Sequence, residues 1–170
     1  MSVTKVKILD QPAIFARLKR MAYQIYEANY LEKEIYVIGI DERGGFLAEE
    51  LVTYLRTLSS IEIILVKAQL DRSESPGIGV SLSEDIESLT QKAVVVVDDV
   101  LYSGATMLHV VSILFQANPR TIQVAVMIDR GHRLVPVSAD FIGMELATTL
   151  QQHVSFVADV EKKEVSVYLL

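Results

Sequence analysis

The sequence predicts an α/β protein with a mostly parallel central sheet flanked by helices, and three observations carry that prediction. Short apolar runs recur at residues 35–40, 61–68, 94–97 and 121–128, too continuously apolar for strands with one wet face. Stretches with three-and-four apolar spacing alternate with them, as strands and crossover helices do in a parallel sheet. Polar, glycine-bearing loops follow the first and third runs, at the carboxyl ends of strands, where ligands bind in such sheets.

In chain order, residues 11–31 space Ile14, Phe15, Leu18, Met21, Ala22, Ile25 and Tyr26 as one face of an amphipathic helix suited to packing. The strand at 35–40 ends in the turn-like Asp41-Glu42-Arg43-Gly44-Gly45, after which 46–58 again has helical period. The strand at 61–68 is followed by a polar excursion over 70–90, either a lid or a plain surface loop. After the third strand, 94–97, a helix over 106–116 stops near Asn118-Pro119, because proline cannot continue it. The fourth strand, 121–128, turns at Asp129-Arg130-Gly131-His132-Arg133, and the valine-rich pieces 154–160 and 165–169 read as short strands. The apolar helix 46–58 is a candidate surface for a second subunit.

A chain of 170 residues is expected to form one domain. Its net charge of −6, from 22 acids against 16 bases, disfavours broad binding to nucleic acid or acidic membrane and favours a small ligand. No cysteine is present, which excludes disulfides, thiolate catalysis and cysteine metal sites. The opening MSVTKVKILD has no apolar signal core and no window is apolar enough to span a membrane, so a cytoplasmic protein is expected. Neither HExxH nor Gly-x-Ser-x-Gly occurs, which leaves metalloprotease and α/β-hydrolase readings without support. His132 and His153 read as turn and loop residues, and His109 as a packing residue of a helix.

The most informative stretch is VVVVDDVLYSGAT, residues 94–106. At the carboxyl end of a central strand, Asp98 and Asp99 project toward the ligand crevice, where carboxylates accept hydrogen bonds from vicinal sugar hydroxyls. The turn through Ser103, Gly104, Ala105 and Thr106 then opens a helix. Its free amides, dipole and hydroxyls form an anion cradle, and Gly104 admits a close approach. A buried strand with a serine helix cap accounts for Ser103 but leaves the two adjacent acids without a purpose. Together the two halves match a ribose 5-phosphate.

These residues resemble the signature of the type I phosphoribosyltransferases: apolar residues, two acids, two or three mostly apolar residues, then Ser/Thr-Gly-x-Ser/Thr. With IQVAVMIDRGHRLVPVSADFIG, the likeness is to the pyrimidine operon attenuation regulator / uracil phosphoribosyltransferase group, and it runs from about residue 35 to the end of the chain. It implies a mobile lid at about 70–90 and a small C-terminal hood at about 131–170 joined by the N-terminal segment. Catalytic roles fall to Asp98, Asp99 and Arg72, the last reaching the pyrophosphate from the lid. Phosphoribosyl pyrophosphate (PRPP) would lie against Glu42, Arg43, Gly44, Asp98, Asp99, Val100, Leu101, Tyr102 and the turn Ser103, Gly104, Ala105 and Thr106. Asp98 and Asp99 would hold the ribose hydroxyls, the turn the 5-phosphate and Arg43 the pyrophosphate. Arg133 and Val157 are expected at the base side. Mg²⁺ would be held mainly by substrate oxygens and water, with no metal site built from protein ligands. The expected activity transfers the phosphoribosyl group from PRPP to a nucleobase, with uracil the first candidate, in a homodimer or higher homo-oligomer.

Two departures keep a second class of function open. Asp41 and Glu42 stand where the family usually has a basic or neutral pair, and each would repel a pyrophosphate charge by about 1 kcal/mol at 4 Å in water. Ala105 stands where relatives commonly have arginine. The alternative is a catalytically impaired sensor of PRPP or a nucleotide, with RNA attenuation as a special case. RNA is the less favoured partner, because Ser138, Met144 and Glu145 occupy positions where basic or polar residues are frequent.

Overall fold

The computed structural model describes residues 5–73, 78–149, 152–159 and 164–170. Parts of the expected lid (74–77) and hood (150–151 and 160–163), and the first four residues of the N-terminal segment, lie outside the described residues. The chain runs β1 (Val6–Leu9), α1 (Gln11–Asn29), β2 (Glu34–Ile40), α2 (Asp41–Leu58), β3 (Glu62–Asp71), β4 (Gly79–Leu82), a short 3-10 helix (Ile86–Leu89), β5 (Ala93–Leu101), α3 (Ala105–Phe115), β6 (Thr121–Asp129), β7 (Phe141–Glu145), β8 (Val154–Asp159) and β9 (Glu164–Leu169). A six-stranded sheet has the order β4-β3-β2-β5-β6-β7, parallel except for the edge strand β4, and a separate sheet has the order β1-β9-β8.

Both faces of the large sheet are buried at its centre, which is why residues 35–40 of β2 and 93–97 of β5 run without a charged residue. Along β5, Val95 and Val97 join the core under α1 and α2, while Val94 and Val96 join the core under α3. Ile35 and Val37 of β2, and Tyr36, Ile38 and Ile40, divide the same way. Helix α1 starts at Asp10, whose carboxylate accepts the Ala13 amide at 3.0 Å, with Pro12 in the first turn. The β1-β9-β8 sheet closes over the α1 and α2 side, sending Phe156, Val165 and Val167 into that core.

Several expectations are revised. The loop expected at 41–45 is the first turn of α2. The apolar side of α2 is not available to a second subunit: Phe46, Leu47, Leu51, Val52 and Leu55 are all buried in the chain's own core. Parts of the 70–90 segment are ordered into the sheet, because β3 continues to Asp71 and β4 returns antiparallel to it, pairing Asp71 with Gly79. Strands β1, β4 and β7 were not among the sequence expectations.

Gly39 and Gly44 explain how α2 can begin so close to the sheet. A Cβ on Gly39 would lie 2.6 Å from the Gly45 Cα, and one on Gly44 would lie 2.5 Å from the Val97 carbonyl oxygen. Without side chains at these two positions, the start of α2 rests directly on the carboxyl ends of β2 and β5, beside Asp98 and Asp99.

Candidate functional site

At the carboxyl ends of β2, β3 and β5 lies a cleft of about 600 Å³ lined by Ile40, Asp41, Glu42, Arg43, Gln69, Leu70, Arg72, Asp98, Asp99, Val100 and Thr106. The paired aspartates are still within β5, where Asp98 pairs with Val126 of β6, not in a loop after it. Each carboxylate accepts the next backbone amide, Asp98 from Asp99 and Asp99 from Val100, both at 2.9 Å, which fixes the two side chains at the strand end. Burial pushes the Asp98 carboxyl well above its ordinary value, and the adjacent Asp99 charge pushes it further, with Asp41 adding to both. Further hydrogen-bond donors or positive charge brought to this pair would therefore be favoured.

Downstream, Gly104 is the residue before α3 and adopts φ 81, a left-handed conformation that favours glycine. It supplies no side chain to cap the helix, so apart from the Ala105 amide the amides of the first turn have no side-chain acceptor. Ser103 Oγ accepts the Ala105 amide at 3.3 Å, and the Ser103 carbonyl accepts the amides of Leu134 at 2.9 Å and Val135 at 3.3 Å. The turn is thus held from behind by the 134–135 segment. Val100 and Thr106 line the cleft, whereas Leu101, Tyr102, Ser103, Gly104 and Ala105 are not among its lining residues. Leu101 is buried and Tyr102 is exposed.

The opposite wall is built by α2 and the end of β3. Asp41 takes φ 50; its Oδ1 accepts the Leu70 amide at 2.9 Å and its Oδ2 meets Arg72 Nη1 at 3.1 Å. Arg43 Nη1 lies 3.4 Å from Asp99 Oδ2. Glu42 is exposed, while Gly44 is buried behind it against β5. Asp41 and Glu42 also sit in the first turn of α2, where negative charge suits the helix dipole.

Arg133 does not line this cleft. Its guanidinium braces the turn from below, donating to the carbonyls of Tyr102 at 3.0 Å and Val137 at 2.7 Å and to Asp129 Oδ2. Val157, half exposed on β8, faces a neighbouring cavity of about 750 Å³ that shares Asp41, Glu42 and Gln69 with the cleft. His109 accepts the Ile78 amide at 3.2 Å through Nε2, so it ties the β3–β4 hairpin to α3. A support missed by sequence reasoning is Arg130. It is buried, donates to Thr148 Oγ1 at 3.0 Å and to the Gln152 carbonyl, and lies 4.1 Å from the Tyr102 ring centroid. His132 joins the same cluster, edge-on to Tyr102 and hydrogen-bonded to the Thr148 carbonyl. Among the described residues no group of three or more acids, histidines or cysteines is arranged to hold a metal, and no helix is long and apolar enough to cross a membrane.

A family model described as the phosphoribosyl transferase domain matches residues 6–164. The protein named bifunctional protein PyrR from Fusobacterium nucleatum is 35% identical over 175 residues, covering 97% of this chain and 98% of that one. The protein of the same name from Brevibacillus brevis is 33% identical over 173 residues, covering 97% and 94%. Among solved structures, a hypoxanthine-guanine phosphoribosyltransferase from Bacillus anthracis superposes with a TM-score of 0.75 at 20% identity, over 98% of this chain and 99% of that one. A Trypanosoma cruzi hypoxanthine phosphoribosyl transferase gives 0.77 at 16% identity, over 98% and 93%. At those identities the likeness speaks for the fold alone, but sequence and fold point the same way: the chain belongs to the type I phosphoribosyl transferase family, alongside the proteins named PyrR.

Proposed function

We propose that the cleft binds PRPP and transfers its 5-phosphoribosyl group to a nucleobase, with uracil the first candidate. The observation that carries this reading is the juxtaposition within one stretch: two fixed carboxylates on the end of β5, followed at once by the uncapped start of α3. The carboxylates suit the 2- and 3-hydroxyls of a ribose and the helix start suits its 5-phosphate. Transfer forms a bond from a base nitrogen to the anomeric carbon, breaks the bond to pyrophosphate, and releases the base proton. Positive charge develops on the sugar in the transition state, and the crowded Asp98–Asp99 pair favours it.

Mg²⁺ enters as the ion carried on the pyrophosphate, held mainly by substrate oxygens and water. Bound there, it would neutralise the leaving pyrophosphate. Arg72 is assigned to the pyrophosphate side, Tyr102 to the rim, Val157 to the base side, and Arg133 to bracing the turn near the base. The reading takes residues 1–170 as a single domain with the β1-β9-β8 sheet as hood. A cytoplasmic setting suits the cysteine-free sequence. A homo-oligomer is part of the proposal, supported by Leu108 and Phe115, which leave an apolar strip exposed on α3.

The test is incubation of the full chain with PRPP, Mg²⁺ and a panel of bases. Pyrophosphate release with one base, uracil first, is the expected result. A second reading, a nucleotide-sensing regulator without turnover, including an RNA attenuator, is favoured by one observation: Asp41 engages Arg72 and the Leu70 amide. Ligand binding without pyrophosphate release for any base would select it.

A further inference from the structure

We infer that Asp41 closes the pyrophosphate end of the cleft from within, so that the cleft prefers a 5-phosphorylated ribose lacking a 1-pyrophosphate, such as ribose 5-phosphate or a nucleoside 5′-monophosphate, over PRPP. The inference rests on the phosphoribosyl site proposed above and deepens it by naming the ligand class and the residue that selects it.

The pyrophosphate of PRPP leaves C1 on the α face, trans to C5 and on the side of the 2- and 3-hydroxyls, whereas the base of a nucleotide leaves C1 on the β face. With the 5-phosphate at the start of α3 and the hydroxyls on Asp98 and Asp99, an α substituent on C1 points to the wall made by Asp41, Glu42, Arg43, Leu70 and Arg72. That wall has two guanidiniums, and each already faces a carboxylate of the same chain: Arg72 meets Asp41 at 3.1 Å and Arg43 meets Asp99 at 3.4 Å. A backbone donor there, the Leu70 amide, is taken by the other Asp41 oxygen at 2.9 Å. The Asp41 carboxylate thus makes the two kinds of contact, one to a guanidinium and one to an amide, that a pyrophosphate oxygen would seek.

Helix-dipole stabilisation alone does not account for this arrangement. Glu42 in the same turn already supplies charge to the helix start. Asp41 instead adopts φ 50, which non-glycine residues rarely take, and turns its side chain across to β3. An incoming pyrophosphate must displace both contacts and then remain beside the charges of Asp41 and Glu42. Ribose 5-phosphate and a nucleoside monophosphate carry no such group. Specificity here comes from a repulsive element as well as an attractive one.

The experiment titrates the full chain calorimetrically with ribose 5-phosphate, with PRPP plus Mg²⁺, and with inorganic pyrophosphate plus Mg²⁺, base being absent. The wild type is expected to bind ribose 5-phosphate at least as tightly as PRPP. Asp41→Asn keeps an acceptor for the Leu70 amide, tolerates the left-handed backbone and frees Arg72. It should tighten PRPP and pyrophosphate by about tenfold or more, equal to about 1.4 kcal/mol, with ribose 5-phosphate unchanged. Asp41→Gly, which also accepts φ 50, is the second variant and should act in the same direction. PRPP bound about tenfold more tightly than ribose 5-phosphate by the wild type, with no gain in either variant, overturns the inference and leaves the phosphoribosyl site standing. Absence of ribose 5-phosphate binding in every form overturns the site itself.

Discussion

Gly44 and Gly45 are neighbours in one helix, yet replacing each with alanine should move stability in opposite directions. Neither has a positive φ, so alanine is conformationally acceptable at both, and each substitution gains about 0.4–1 kcal/mol by restricting the unfolded chain. At Gly45 an added Cβ meets nothing within 4 Å and projects into the larger cavity, so that gain should appear whole. At Gly44 the Cβ would stand 2.5 Å from the Val97 carbonyl oxygen and 3.3 Å from the Asp98 Cα, both backbone atoms that cannot swing aside. Reaching an ordinary contact of 3.4 Å requires the start of α2 to retreat by about 0.9 Å from β5. Overpacking of this kind costs about 1–3 kcal/mol. The two variants should therefore differ by about 1–3 kcal/mol, or about 2–12 °C in melting temperature for a chain of this size. The assay is thermal unfolding of both proteins in one buffer. Gly44→Ala melting at or above Gly45→Ala would refute the claim that α2 is seated on the ends of the strands through Gly44. The same clash presses on Val97 and on the Asp98 Cα, so Gly44→Ala should also weaken ribose 5-phosphate binding while Gly45→Ala leaves it intact.

Two further outcomes test the supports of the site. Asp98 holds its proton more tightly folded than unfolded, so its contribution to stability is greatest at low pH and falls as pH rises from about 4 through its raised folded value. Asp98→Asn should remove that fall and make the protein more stable than wild type at neutral pH, measured by urea unfolding across a pH series; parallel curves would refute the burial and charge account. Arg130→Leu removes charge-assisted bonds to Thr148 Oγ1 and the Gln152 carbonyl, each contributing about 1.5–3 kcal/mol, and should lower stability by at least about 3 kcal/mol. An unchanged melting temperature would show that Arg130 is not the brace beneath Tyr102.

What was legible in the sequence was whatever the chain records locally. The strands β2, β5 and β6 announced themselves because both of their faces are buried, leaving little polar alternation to dilute the signal, whereas β3 alternates after Val66 and was legible from its Ile63–Val66 run. Asp98, Asp99 and the Ser103–Thr106 turn were legible because a buried strand has no use for adjacent acids. Strand β7 has only five residues at the sheet edge, and β1 only four, so their apolar content is too short to read as a period. The first turn of α2 was read as loop because paired glycines usually mark one; Gly44 is there for its close contact with β5, which local sequence cannot encode. The same holds for Arg130, whose partners lie 18 and 22 residues away, in a segment that resembles an ordinary charged turn. The Asp41–Arg72 pair carried a usable signal: the two residues follow neighbouring parallel strands almost directly, so opposite charges there are bound to meet.

The distribution of charge in the cleft accounts for the orientation of the proposed ligand. Its lining contains four carboxylates, Asp41, Glu42, Asp98 and Asp99, against two guanidiniums, Arg43 and Arg72. An all-anionic ligand lying along that lining would meet net repulsion wherever it touched side chains. Attraction for a phosphate resides instead at the uncapped start of α3, where it comes from backbone amides and not from cations, consistent with Ala105 in place of a basic residue. A ligand that satisfies both ends needs an anion at one end and hydroxyl donors in the middle. That requirement follows from the backbone positions of β5 and α3, so substitutions at Asp41 or Arg72 should alter which group is accepted at the far end without reversing the ligand.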